Sequence, residues 1–221
     1  MSDTASLQSR IALVTGASRG IGAATAIALA RDGAHVVLTG RDVKALEAVE
    51  DAIHDAGGSS TIAPLDLSEP DGIPRLAAAV ALRWDKLDIL VINAAYLPTL
   101  TPVTQVDSKQ FGQALTVNVL ATQALLAAFD PLLKRAGHAR VIGLTSSVGT
   151  APRAFWSAYA ASKAALANIT KNSANALRAH RIRVNGVNVG WMDTPGEDSV
   201  QRRYHGAQDG WLAAAEAKQP F

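Results

Sequence analysis

The chain contains no cysteine, which excludes disulfides and thiolate chemistry and suits a reducing compartment. Charge is scarce: Asp, Glu, Lys and Arg make up 18% of the 221 residues, against 48% hydrophobic residues. Such leanness is expected when strands are covered on both faces. Net charge is +2 with no long basic run, so composition offers no argument for nucleic acid. The N-terminus, Met1 to Arg10, is polar and lacks the apolar core of a signal peptide. No apolar run approaches the length of a membrane span. The histidines, His35, His54, His138, His180 and His205, are scattered without ligand-like spacing, so no metal site is expected. Internal repeats, low-complexity segments and linkers are lacking too. These absences together describe a single soluble domain over residues 1–221, cytoplasmic, with no nucleic-acid or membrane partner.

What is present begins with a short apolar run, Ile11 to Thr15, that suits a buried parallel strand. Gly16-Ala17-Ser18-Arg19-Gly20-Ile21-Gly22 follows and opens an Ala-rich helical stretch to Asp32. Strand, glycine loop and helix form the context a dinucleotide site needs, because glycine lets a pyrophosphate approach the backbone and the helix N-terminus offers free N–H donors. Taken alone, the spacing fits a plain turn into a helix equally well. Further strands are expected at Ala34 to Thr39, Thr61 to Leu65, Leu87 to Ile92, Val141 to Thr145 and Ile182 to Val189. Helices are expected at Val43 to Ala56, Asp71 to Trp84 and Ser108 to Arg135, the last kinked or interrupted near Pro131. A closing helix spans Gln208 to Lys218, after a polar segment that Gly190-Trp191-Met192-Asp193-Thr194-Pro195 opens. Strands alternating with helices argue for right-handed βαβ units and a parallel sheet. Ligands bind such sheets beyond the carboxyl ends of the strands, where Gly16, Arg41, Asp66 and Asn93 sit.

A long Ala-rich run without Pro or Gly, Ala154 to Ala179, reads as helix and carries Tyr159 and Lys163. Residues four apart share a helix face, and an ammonium beside a phenol lowers the pKa of the Tyr from its ordinary value of about 10. A Tyr so tuned can give or take a proton. Asn118 lies in an apolar helical stretch, Leu115 to Leu120, where a buried amide must find partners. Structural and functional readings of it stand level.

In their order along the chain these motifs resemble those of the short-chain dehydrogenase/reductase family. Thr15-Gly16-Ala17-Ser18-Arg19-Gly20-Ile21-Gly22 is similar to that family's cofactor loop, Asp66-Leu67 to its adenine contact and Asn118 to its helical Asn. Ser146 stands 13 residues before Tyr159, the family's separation of Ser and Tyr, with Ser147 as its neighbouring alternative. The resemblance covers the chain from about Leu7 to its last residue. It implies a doubly wound Rossmann-type sheet of order 3-2-1-4-5-6 with helices on both faces, and hydride transfer between a nicotinamide cofactor and a small alcohol or carbonyl compound: a ketone, a sugar or polyol, or a keto-acyl group. It implies homodimers or homotetramers as well. The resemblance assigns Asn118, Ser146, Tyr159 and Lys163 to catalysis. It assigns Gly16, Ser18, Arg19, Gly20, Ile21, Gly22, Arg41, Asp66, Leu67, Asn93, Ala94, Ala95, Tyr159, Lys163, Gly190, Met192 and Thr194 to the cofactor, with Thr194 at the nicotinamide amide.

Three departures stand out. Ile92-Asn93-Ala94-Ala95 replaces the family's Asn-Asn-Ala-Gly, so a methyl group at Ala95 crowds the cofactor's backbone contact. Val189-Gly190 replaces Pro-Gly. The family's last helix and seventh strand have no counterpart before Phe221, so a shortened chain is expected, with the strand from Ile182 left as a sheet edge. An acid at the end of the second strand would select NAD, and an Arg would accommodate the extra phosphate of NADP. The resemblance puts that position at Gly40, with Arg41 beside it and Arg19 in the loop, which favours NADP(H) over NAD(H). Asp42, 20 residues past Gly22, is the contrary sign. Trp191, Tyr204 and Trp211 suit either packing or an aromatic lid over the substrate. A non-catalytic nucleotide-binding regulator and an inactive fragment are the competing classes. The presence of Asn118, Ser146, Tyr159 and Lys163 together favours the enzyme.

Overall fold

The computed structural model describes residues 6–151 and 153–218. Six strands, β1 (Ile11–Thr15), β2 (His35–Thr39), β3 (Ser59–Ile62), β4 (Ile89–Ile92), β5 (Arg140–Ser146) and β6 (Arg183–Val189), form one sheet of order β3-β2-β1-β4-β5-β6. Every pairing is parallel, so each crossover must carry the chain back over a face of the sheet. Helices α1 (Gly20–Arg31), α2 (Val43–Asp55), α3 (Gly72–Arg83), α4 (Ser108–Leu115), α5 (Ala121–Arg135) and α6 (Ser157–Leu177) supply those returns. α7 (Pro195–His205) and α8 (Trp211–Glu216) follow β6.

The sheet is apolar on both faces because both are covered. On one face Ala12, Val14, Val36 and Leu38 meet Ala26 and Ala30 of α1 and Leu46, Val49 and Ile53 of α2. On the other, Leu13, Leu90, Ile92 and Val141 meet Leu76 and Val80 of α3 and Leu125, Phe129 and Leu132 of α5, with Ala174 and Leu177 of α6 at the margin. β6 forms the sheet edge, and its Val187 is 42% exposed.

The structure corrects several boundaries. β3 starts at Ser59 rather than Thr61, because His35 of β2 draws both hydroxyls into register: its ring nitrogens lie 3.0 Å from Ser59 Oγ and 2.9 Å from Thr61 Oγ1. The helical stretch from Ser108 to Arg135 is interrupted by a π turn at Thr116–Leu120, around Asn118, while α5 continues past Pro131 to Arg135. Taken as one piece, that stretch is 28 residues long with a mean hydropathy of 1.3 over its most apolar window, so by length and composition it could cross a membrane. No such run was expected from the sequence. Several of its apolar side chains belong to the core: Leu125, Phe129 and Leu133 are fully buried beneath the sheet, whereas Leu120 is 61% exposed. α7 replaces what reads from sequence as a polar segment.

Candidate functional site

The carboxyl ends of β1, β2, β4 and β5 open onto one cavity of about 740 Å³, a size typical of ligand pockets. One end is formed by Arg41, Asp42, Asp66 and Leu67, the middle by the glycine loop and Asn93 to Tyr96, and the other end by Tyr159, Lys163, Thr194 and Gly196.

The glycine loop works by absence of bulk. Gly16 adopts a left-handed φ of +65°, and a Cβ there would lie 2.9 Å from Ala94 Cα. A Cβ at Gly22 would collide with the Gly16 carbonyl oxygen. α1 starts at Gly20 with no side-chain cap at Arg19 and no acid in its first turn. Its leading N–H groups therefore stay free for an anion, where the helix dipole is also positive. A cradle that a Cβ would fill, ending on an uncapped helix, fits a dinucleotide pyrophosphate. Asn93 braces this loop: its Nδ2 donates to the carbonyls of Thr15 (2.9 Å) and Gly16 (3.1 Å), while the Thr15 hydroxyl accepts from the N–H groups of Asn93 and Ala94. Ala95 is exposed, with its methyl group on the cavity wall.

At the β2 end, the Asp42 carboxylate accepts from Ala45 N (3.1 Å) and caps α2. That bond commits the acid that otherwise argues for a ribose contact. Arg19 and Arg41 are both exposed on the same wall. The Arg41 guanidinium lies 3.9 Å from Asp66. Asp66 is held below the ordinary carboxylate range by the Ser68 N–H and hydroxyl; burial opposes this and Arg41 assists.

At the far end, Tyr159 and Lys163 lie one turn apart on α6, and the Lys163 Nζ is 5.6 Å from the Tyr159 ring centroid. Lys163 is 3% exposed, and its Nζ donates to Leu144 O of β5 at 2.6 Å. The expected lowering of the Tyr pKa is not what the structure gives. Burial, joined by the charge of Glu197, pushes the Tyr159 phenol up to about 12, and burial pulls Lys163 down to about 8. Desolvation opposes both charged forms, and it outweighs an ammonium aimed at a backbone carbonyl.

The other catalytic candidates, Asn118 and Ser146, are not among the residues that line the cavity, although Ser146 directly follows the lining residue Thr145. Asn118 is 1% exposed and its side chain is fully engaged: Oδ1 accepts from Tyr96 N (2.7 Å), and Nδ2 donates to Tyr96 O (3.0 Å) and Ser162 Oγ (2.9 Å). It ties the segment after β4 to α6, next to Tyr159. Ser146 ends β5, and its hydroxyl accepts from Val148 N at 3.4 Å to start a short 3₁₀ turn. Thr145, bonded to Asn188 Oδ1, is the β5 residue beside it on the cavity wall. Gly190 and Met192 stay off the wall, whose residues there are Val189, Thr194 and Gly196. The aromatic candidates divide: Tyr204 reaches Leu100 N (3.5 Å) and Trp211 Nε1 donates to Asp198 (2.7 Å), whereas Trp191 is 56% exposed.

Tyr96, Gln113 and Val117 line the cavity and escaped the sequence reading. Nothing in their local pattern marks them, since they meet only when the π turn and the β4 segment close on each other. Glu197 was findable: Thr194-Pro195-Gly196-Glu197 is a capping box with Pro at the first helical position. The Thr194 hydroxyl accepts from Glu197 N at 3.1 Å.

Comparison with known proteins agrees with this geometry. The model of the short chain dehydrogenase family matches residues 10–205. The cis-4-hydroxycyclohexanecarboxylate dehydrogenase of Sinomonas cyclohexanicum is 34% identical over 188 residues, which is 84% of this chain and 74% of that protein. A metagenomic short-chain oxidoreductase solved in complex with NADP is 39% identical, with a TM-score of 0.80 over 84% of each chain. A short chain dehydrogenase from Shigella flexneri 2a, complexed with NADP, is 33% identical, with a TM-score of 0.86 over 90% of this chain and 84% of that one.

Proposed function

The chain belongs to the short-chain dehydrogenase family, and from that premise we propose that it is an NADP(H)-dependent oxidoreductase interconverting a small alcohol and its carbonyl compound, with Tyr159 as general acid and base. The reading rests on one juxtaposition: Tyr159 and Lys163 open onto the same cavity as the glycine loop and the uncapped start of α1.

A bound nicotinamide supplies or accepts the hydride. Tyr159 gives its phenolic proton to the carbonyl oxygen, or takes one from the alcohol. A phenol lifted to about 12 holds that proton firmly in the resting protein. Lys163, cationic below about 8, stabilises the phenolate that forms as the proton leaves. Ser146, by family likeness, bonds the substrate oxygen and steadies its developing charge. Asn118 acts through position, holding Tyr96 and Ser162 so that the cavity wall and α6 keep their spacing.

NADP(H) is favoured over NAD(H) because Arg19 and Arg41 stand together at the β2 end, while Asp42 is committed as a helix cap. The NADP carried by both solved relatives supports this choice. The test is the oxidation rate of NADPH and of NADH against a carbonyl panel, with wild type and Tyr159→Phe. Wild type should prefer NADPH, and Tyr159→Phe should lose roughly 10²- to 10⁴-fold in kcat. Equal rates for the two proteins would eliminate the assignment of Tyr159. A preference for NADH would reverse that of the cofactor.

A further inference from the structure

Charge is unevenly placed along this chain. From Pro131 to Met192 there is no Asp or Glu, whereas nine Lys and Arg occur there. All 19 acids lie in the rest of the chain, against 12 Lys and Arg. No long basic run marks the region, because its cations come in short pieces such as Lys134-Arg135, Arg140 and the stretch from Arg178 to Arg183.

The fold gathers those pieces. All strands of a parallel sheet start at one end, here the end opposite the cavity. Lys134 and Arg135 close α5, Arg178 opens the 3₁₀ turn after α6, and Arg181 and Arg183 lead into β6. Arg140 opens β5, and its Cα partner on β6 is Arg183. Adjacent strands run about 4.8 Å apart, so two guanidiniums leave the sheet side by side and repel. Arg178, Arg181 and Arg183 are exposed. Among the described residues no carboxylate forms an ion pair with Arg135, Arg140, Arg178, Arg181 or Arg183. Arg181 also holds a left-handed φ of +58°, which Gly or Asn adopts more readily.

Helix ends do not account for this set. A helix C-terminus carries about half a negative charge, so α5 and α6 together offset roughly one cation. Arg140, Arg181 and Arg183 lie outside any helix. Acids at this end are few: Asp88 is already paired with Arg10 and Lys86, and Asp32 and Asp55 follow helices on the other face of the sheet. Leu82, in the last turn of α3, is 91% exposed at the same end, beside the exposed Arg83.

We propose that this end docks on a bilayer surface bearing acidic phospholipids, with the arginines on headgroup phosphates and Leu82 entering the interface. Guanidinium matches phosphate oxygens in a bidentate fork. A basic cluster beside an exposed apolar side chain is the pair of signals that interfacial binding uses, whereas a nucleic-acid backbone calls for the charge alone. Docking by this end leaves the cavity open to water.

The test is co-sedimentation with vesicles of phosphatidylcholine alone, or of phosphatidylcholine with about one-third phosphatidylserine. The protein should pellet with the second kind only, and should be released as salt rises to about 0.5 M and screening shortens. Each basic residue at such a surface is worth roughly fivefold, so the triple variant Arg178→Gln, Arg181→Asn, Arg183→Gln should bind about a hundredfold more weakly. The control Lys44→Gln, Arg75→Gln, Lys109→Gln removes as much charge from the starts of α2, α3 and α4, and should bind within about twofold of wild type. If thermal melts show the first triple variant unfolded, Arg181→Asn alone, which suits the left-handed φ, should weaken binding roughly fivefold. Equal pelleting with both vesicles, pelleting with neither, or equal losses in patch and control variants overturns the proposal. So does a fluorescein-labelled single-stranded oligonucleotide that binds wild type but not the patch variant while the vesicles are ignored, since the patch would then serve nucleic acid. No arm needs turnover, so the outcome is separate from that of the oxidoreductase reading.

Discussion

Lys163 sits where a lysine is costly, 3% exposed, with one hydrogen bond to a backbone carbonyl. Its pKa falls to about 8 in the folded protein because burial penalises the cation. The unfolded chain, near 10.4, binds the extra proton between those values, so this group's contribution to stability grows as pH rises from about 8 to about 10.4 and is lost as pH falls back through 8. Lys163→Met should therefore melt at a higher temperature than wild type at pH 7, by the equivalent of roughly 2–3 kcal/mol, with the difference shrinking toward pH 10. Paired thermal melts at those pH values check it, and a gap independent of pH would refute it. Tyr159 works in the next window: lifted to about 12, it contributes stability below pH 10 that is lost as pH climbs through 12. The pairing of these two residues was legible, because a spacing of four on a helix dictates a shared face. The direction of the Tyr159 shift was not, because spacing carries no information on how much water each group loses.

Among the elements, the catalytic helix α6 owes its position to two small devices. Gly149, in the 3₁₀ turn after β5, lies so close to α6 that a Cβ there would stand 2.9 Å from Ala164 N and 3.1 Å from Lys163 C. Gly149→Ala must push α6 away from the strand that delivers Ser146. It should lower kcat by roughly 10²-fold in NADPH-dependent carbonyl reduction. Unchanged kcat would show that the contact is slack. On the other side, Asn118 joins α6 to the segment after β4. Asn118→Ala would strand the Tyr96 N–H and carbonyl, costing about 2–3 kcal/mol in urea denaturation. An Asn in an apolar helical stretch was visible as a problem to be solved, yet the solution, a π turn that turns its amide onto Tyr96 and Ser162, depends on a segment 22 residues earlier. Pro131 drew attention as the helix breaker, but α5 continues to Arg135 across it. α7 was missed because its polar face resembles a loop, although its capping box was in plain view.

At the scale of the molecule, alternating strands and helices made a parallel sheet with right-handed crossovers legible, while the strand order came with the family resemblance. What anchors the sheet opposite the cavity was not legible, since nothing in the expected strand Leu87 to Ile92 tells which partners Asp88 meets. In the fold it is 3% exposed and joins the central strands: its carboxylate accepts from Arg10 Nη1 (2.7 Å), Lys86 Nζ (3.2 Å) and Ile11 N (3.0 Å), and its carbonyl accepts from Arg140 N (2.8 Å) at the start of β5. Burial pushes the Asp88 carboxyl up, but the Ile11 N–H, Arg10 and Lys86 together hold it below the ordinary value. A folded pKa below the unfolded one, near 3.9, contributes stability that is present above that value and lost as pH falls through the folded one. Asp88→Asn retains the shape and removes the charge, leaving two cations beside a neutral buried group. It should cost about 2–4 kcal/mol at pH 7. The same comparison at pH 3, below the unfolded value, should bring the two proteins closer together, because the unfolded wild type takes up a proton there that the variant has no group to bind. Urea unfolding at both pH values decides the matter: a deficit equally large at pH 3 would mean that packing, rather than the ionised carboxylate, binds β1, β4 and β5 at this end.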